Sequence, residues 1–128
     1  MPVDEQAKVL DGKATAAALL AQVKVHVDAL RADGIVPGLR VVQVGNVAAS
    51  SVYVKKKAET ARELGIDSDI VHLGDGISRE TLRTTIERLN DDPKVHAILL
   101  QLPLPDHLDA LEFQLLTDPD KDVDGFHP

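Results

Sequence analysis

The hydrophobic positions of this chain change period several times, and each change marks an element. Leu20, Val23, Val27 and Leu30 recur at helical spacing, between Asp11, whose carboxylate suits an N-cap, and a stop near Gly34. Gly34 and the Pro37–Gly38 pair then break the chain. Leu39 to Val44 is an apolar run and predicts the first strand. A second helix is expected from Ser50, as its N-cap, to Leu64, with a stop at Gly65. Ser68 to Leu73 predicts a second strand whose polar content suits a sheet edge. Gly74–Asp75–Gly76 turns the chain, and Ser78 suits the cap of a third helix, with Ile77 and Leu82 placed as a hydrophobic staple around it. Leu82, Ile86 and Leu89 give that helix one apolar face, and Asn90–Asp91–Asp92–Pro93 ends it. Val95 to Leu100 predicts a third strand, its unbroken apolar run suited to a buried parallel position. Asp106 to Leu116 predicts a short helix with Leu108, Leu111 and Leu115 on one side. Thr117 onward reads as loop.

Strands and helices alternate throughout. That order predicts an α/β fold in which βαβ units build a parallel sheet with helices on both faces, as a single domain over residues 1–128. The sequence shows no internal repeat, low-complexity tract or interdomain linker. Asp118 to Pro128 reads as a connection toward further chain.

Composition narrows the class. The chain has 128 residues and is 44% hydrophobic, enough for one packed core. Only 2% is aromatic, so Val, Leu, Ile and Ala must build that core. A formal net charge of -7 argues against a nucleic-acid surface. With no cysteine, disulfides, thiolate nucleophiles and Cys-based metal sites are excluded, which fits a reducing compartment. No apolar run approaches the roughly 20 residues of a membrane span. Met1 to Gln6 lacks the pattern of a secretory signal. The expectation is a cytoplasmic protein with neither membrane nor nucleic-acid partner.

Several candidate motifs fail. Gly74–Asp75–Gly76–Ile77–Ser78–Arg79 begins like a dinucleotide fingerprint but carries Arg79 where the third glycine belongs. No phosphate loop of the Walker type is present. Asp120 to Gly125 matches the first half of a calcium loop, without the glutamate and helix that complete one. The histidines (His26, His72, His96, His107, His127) have no metal-ligand spacing and read as surface or rim residues. No metal is expected.

Three stretches carry the candidate chemistry. The corner from Gly45 to Lys57 joins a buried strand to a helix, where open α/β sheets place their sites. On that helix Tyr53, Lys57, Ala61 and Leu64 share one face, so Lys57 is expected inside the apolar stripe. Lys55 points to the opposite side. A lysine among core residues either snorkels at the rim or is held there for chemistry, and three lysines in a row also suit a solvated helix face. Leu100–Gln101–Leu102–Pro103–Leu104–Pro105 follows the third strand; its prolines end the ladder and place Gln101 on the same sheet edge as Gly45. As a plain reading this is a strand terminator. Lys121–Asp122–Val123–Asp124–Gly125–Phe126–His127–Pro128 reads plainly as a solvated acidic loop.

Together these stretches closely resemble the bifunctional methylenetetrahydrofolate dehydrogenase/methenyltetrahydrofolate cyclohydrolase family, over almost the whole chain. The resemblance implies roles. Lys57 would work on the one-carbon bridge and Tyr53 would pack its ring against the folate. Gln101 would hydrogen-bond Lys57 and help set its protonation state. Asp124 would grip the polar edge of the pterin, and Leu102 and Pro103 would wall the pocket. Lys57, Gln101 and Asp124 are thus the catalytic candidates. The family oxidises methylene-tetrahydrofolate with NADP (or NAD), then hydrolyses the methenyl product to formyl-tetrahydrofolate, in one-carbon metabolism and purine biosynthesis. Elementary chemistry agrees: burial disfavours a lysine's charged form, which suits an amine on an apolar face to acid–base work, and a carboxylate accepts paired N–H donors.

The family adds a C-terminal Rossmann-type domain that holds the nicotinamide cofactor, and a returning helix; neither is expected in this chain. The complete enzyme tends toward a homodimer. An exposed apolar face would be the expected symptom of the missing helix. At the corner, the family usually carries an acidic residue and a proline where this chain has Asn46 and Ala48, and often a longer polar residue at Ser51. Two classes follow: the catalytic half of the folate enzyme, without dehydrogenase activity by itself, or a non-catalytic folate-binding or assembly module of the same fold.

Overall fold

A computed structural model of the chain describes residues 11–46 and 48–128, without the side chains of residues 48–50. Helix α1 (Gly12–Ala32) leads to strand β1 (Gly38–Val44), helix α2 (Ala48–Glu63), strand β2 (Asp67–Leu73), helix α3 (Arg79–Asp91), strand β3 (Ala97–Leu100) and helix α4 (Ala110–Leu116). The strands form one parallel sheet in the order β2-β1-β3. β2 is at an edge, as its polar content predicted. β3 pairs with β1 and is buried on both faces through Ile98, Leu99 and Leu100.

Side-chain alternation along β1 builds two cores. Val42 and Val44 face α3 and α4, where they pack with Leu82, Ile86, Leu89 and the fully buried Phe113. Val41 faces the other way, against Val54 of α2 and Leu99 of β3. Helices therefore cover both faces of the sheet. Gly38 opens β1 against the loop before β3: a Cβ there would run into the Lys94 carbonyl.

Caps fix the helix starts. Asp11 accepts from the Ala14 N–H at the start of α1, and Ser78 accepts from Thr81 at the start of α3, with Ile77 packed on the Leu82 cluster. α2 begins at Ala48, two residues before the Ser50 expected as its cap, and the Ser50 side chain lies outside the described residues. α4 begins at Ala110 rather than Asp106, because the Asp109 carboxylate takes the Leu111 N–H. That start turns Phe113 inward and leaves the expected Leu111 and Leu115 exposed, while Leu108 is buried ahead of the helix.

The face expected on α1 is only partly covered. Val27 is buried, whereas Leu20, Val23 and Leu30 are each more than a third exposed. Val27 and Arg31 meet the turn at Gly65, whose carbonyl accepts from Arg31, and this contact lies at one side of the helix. No helix among the described residues is long and apolar enough to cross a membrane.

The segment after α4 is anchored at Lys121 and Asp122, while Val123 to Phe126 stay exposed. Lys121 puts its Nζ among the Leu89, Asn90 and Asp92 carbonyls at 3.2, 2.6 and 2.9 Å, so an ammonium caps the last turn of α3. The Ile98 N–H donates to the Lys121 carbonyl, and Asp122 bridges to Ile98 in parallel. Asn90 binds the Leu116 carbonyl and the Asp118 N–H. Lys121→Met keeps the stem and removes the ammonium, leaving three helix-end carbonyls without it. It should lower unfolding stability by about 1–3 kcal/mol, the range for charged hydrogen bonds, read from the urea midpoint at constant m-value.

Candidate active site

The sheet's topology determines where a site can form. β1 runs into α2 on one face, and β3 is followed by α4 on the other, so the chain diverges at the carboxyl ends of β1 and β3. That divergence opens a crevice. The Gly45–Asn46 corner lies on one side of it. On the other, the Gln101 N–H donates to the Val42 carbonyl, and the chain turns away through a cis Leu102–Pro103 bond.

Lys57 reaches into this crevice from α2. Its Nζ donates to Gln101 Oε1 at 3.2 Å, and the Gln101 amide is oriented by its Nε2 donating to the Leu102 carbonyl at 2.9 Å. Asp124 arrives on the segment held by Lys121, close enough for its carboxylate to feel the Lys57 charge. Partial burial holds the Asp124 carboxyl above the usual carboxylate range; Lys57 pulls it back down and the Asp122 carboxylate pushes it further up. Three residues from separate stretches of sequence, Lys57, Gln101 and Asp124, are thus brought together.

Tyr53, Lys57, Ala61 and Leu64 share one face, as expected, but that face lines an open cleft rather than the core. The buried stripe of α2 is Val54, Ala58 and Ala61, because the small Ala58 and Ala61 let the helix sit close on the sheet. Tyr53 is 65% exposed and Lys57 is exposed, one helical step from that stripe. Lys57 is therefore not buried in an apolar stripe but stands at an open rim, with Gln101 and Asp124 beside it. Tyr53 and Lys57 line an open apolar cleft of about 340 Å³ with Lys56, Thr60, Ala61, Leu64 and Ile66. Pro103 lines a separate hollow with Gly45, Asn46 and Asp75, and Leu102 is half-buried between the two strand ends. Pro103 therefore does not share the Tyr53 cleft.

Sequence reasoning missed a polar chain at the corner that runs from a buried glutamine to the surface. Gln43, 6% exposed, donates through Nε2 to Ser51 Oγ, which donates to Asn46 Oδ1. A glutamine inside an otherwise apolar strand was the available signal. Two of the corner positions at which this chain departs from the family pattern, Asn46 and Ser51, are thus coupled to each other. The calcium-like run is explained locally: Asp122 accepts from the Gly125 and His127 N–H groups. Among the described residues no cluster of three or more acidic, His or Cys side chains could hold a metal ion. Histidines do bond backbone: His72 the Gly45 carbonyl, His96 the Gly38 N–H and His107 the Ile77 carbonyl. Arg79, at the position of the third glycine, is locked on both oxygens of Glu112.

The profile of the family "tetrahydrofolate dehydrogenase/cyclohydrolase, catalytic domain" matches residues 10–124. The chain belongs to that family. It is 47% identical over 120 residues to the bifunctional protein FolD of Lactococcus lactis subsp. cremoris, covering 94% of this chain and 42% of the relative. It is 49% identical over 123 residues to bifunctional protein FolD 2 of Myxococcus xanthus, covering 95% and 43%. The FolD methylenetetrahydrofolate dehydrogenase/cyclohydrolase structure from Campylobacter jejuni superposes with a TM-score of 0.92 at 43% identity, over 94% of this chain and 43% of that one. The Trypanosoma brucei FolD structure, solved with NADP cofactor and an inhibitor, gives 0.87 at 34% identity, over 97% and 41%. The chain therefore spans less than half the length of these relatives.

The raised Asp124 carboxyl sets a pH dependence. A carboxyl raised by folding contributes stability below its unfolded pKa and loses it as pH rises through the folded value. Asp124→Asn should therefore unfold at higher urea than the parent at neutral pH. The gap should close as pH falls below the carboxylate range. A gap unchanged across that range would mean that the effect is not ionisation of Asp124.

Proposed function

We propose that this chain is the folate-binding and catalytic part of a methylenetetrahydrofolate dehydrogenase/methenyltetrahydrofolate cyclohydrolase. The observation that carries the reading is the Lys57–Gln101 hydrogen bond at the sheet's carboxyl edge with Asp124 beside it. In this reading Asp124 accepts N–H groups of the pterin, and those donors favour its ionised form against the burial that opposes it. Tyr53 offers its ring as a platform for the folate's arene. Leu102, next to Gln101, walls the pterin end, and Pro103 opens onto the neighbouring hollow.

Hydrolysis of the methenyl bridge follows from these roles. Water adds to the electron-poor bridge carbon and gives up a proton. The Lys57 amine takes that proton, and its ammonium returns it to the departing ring nitrogen as the carbon–nitrogen bond opens, while the carbinol hydroxyl releases its remaining proton to solvent and becomes the formyl carbonyl. Gln101 Oε1 accepts from the amine in either protonation state and holds it over the bridge. NADP or NAD, when bound, supplies the hydride acceptor for the oxidation of methylene-tetrahydrofolate. The residues that hold it lie outside this chain, so the chain alone should lack dehydrogenase activity. A homodimeric complete enzyme and a cytoplasmic location belong to the same reading and rest on the family alone.

Loss of methenyl-tetrahydrofolate absorbance, corrected for the spontaneous rate, tests the assignment. The chain should show a weak rate above background. Lys57→Ala should remove it, in keeping with the ~10²–10⁴-fold worth of general acid–base catalysis. Equal rates in both proteins would remove Lys57 from the chemistry. No rate in either would make the chain a binding module rather than a catalyst.

A further inference from the structure

The cleft beside Lys57 holds a second lysine that the chemistry above does not use. Tyr53, Lys56 and Thr60 lie on one ridge of α2, and Lys57, Ala61 and Leu64 on the next; both ridges line the cleft. The three lysines of the run have different surroundings. Lys55 faces a different hollow and lies 3.9 Å from Glu59. Lys57 is bonded to Gln101. Among the described residues Lys56 has no salt-bridge partner.

We propose that Lys56 is a specificity residue that binds the glutamate carboxylates of the folate. The inference rests on the folate reading and extends it from the reacting end of the ligand to its tail. A folate has a pterin, an arene and an anionic glutamate tail, and two of these parts already have partners here. The pterin belongs with Lys57, Gln101 and Asp124, and the arene with Tyr53. The tail leaves the arene through an amide. Helix positions three apart are about 5–6 Å apart at Cβ, so Lys56 stands one turn along from the Tyr53 platform. Its flexible stem lets the ammonium follow the tail. The rest of that wall offers a carboxylate only the uncharged Thr60 hydroxyl, beside the apolar Ala61, Leu64 and Ile66. The chain's net charge of -7 disfavours an anionic ligand, which makes an unpaired cation at this point selective.

Titration calorimetry on the 128-residue chain with tetrahydropteroate, tetrahydrofolate and its triglutamate separates the parts. Affinity should rise along that series and the rise should shrink in high salt. Lys56→Gln should lose up to about fivefold per engaged carboxylate, the range for exposed ion pairs, with tetrahydropteroate unaffected. Lys55→Gln should change none of the three. Equal loss across the series, no loss, or the same loss in Lys55→Gln would overturn the assignment of Lys56 while leaving the folate reading in place. Failure of the parent chain to bind any of the three ligands would overturn the folate reading, and this inference with it.

Discussion

When β3 pairs in parallel with β1, the last bond of that ladder runs from the Gln101 N–H to the Val42 carbonyl. That bond decides what can meet at the sheet's edge. It ends β3 level with the Gly45 corner, so the helix leaving β1 and the loop leaving β3 start from one rim. α2 then needs fewer than three turns to carry Lys57 opposite Gln101. The pairing is held from both faces: Val41 and Leu99 against Val54, and Val42 and Ile98 within the Phe113 cluster. Burying such aliphatic side chains is worth roughly 1.5–3 kcal/mol each. A one-residue slip of β3 would exchange its two faces, so the register is strongly specified. The same register that packs the core therefore sets the distance between Lys57 and Gln101.

Asp124 reaches the site by a different device. It has no strand of its own, and its segment is held by the Lys121 ammonium among the closing carbonyls of α3 and by the short pairing of Lys121 and Asp122 with Ile98. Asn90 holds the exit from α4 at the same helix end. The end of α3 thus serves twice, as a core helix terminus and as an anchor for the Asp124 segment. This arrangement makes the carboxylate's position depend on helix-capping chemistry as well as on the local Asp122 turn. It also explains how an acidic, exposed run can bring Asp124 within reach of the Lys57 charge.

The α/β class, the element order, the edge position of β2 and the staple around Ser78 were legible in the sequence, because period, caps and turn residues act locally. The start of α4 was not: Asp106 and Asp109 can both cap, and only the packing of Phe113 selects the second. The face of α2 was misjudged for a related reason. Tyr53 and Leu64 look like core by type, yet the sheet takes the smaller Ala58 and Ala61, and Tyr53 and Lys57 turn to the cleft. On α1, periodicity marked four apolar positions but could not say how many this chain covers. The candidate site was legible as three separate stretches through family resemblance. Their meeting point, the Lys121 clamp and the Gln43–Ser51–Asn46 chain are long-range products of the fold.

An amide-resolved NMR titration of the chain with tetrahydrofolate tests the central claim most directly: one folate site at the carboxyl ends of β1 and β3, built from Lys57, Gln101 and Asp124. The account predicts shifts concentrated at residues 53–57, 101–104 and 122–126, with the opposite sheet edge around Ile35, Gly38 and His96 unmoved. Shifts centred on that opposite edge, or spread evenly over the chain, would contradict it.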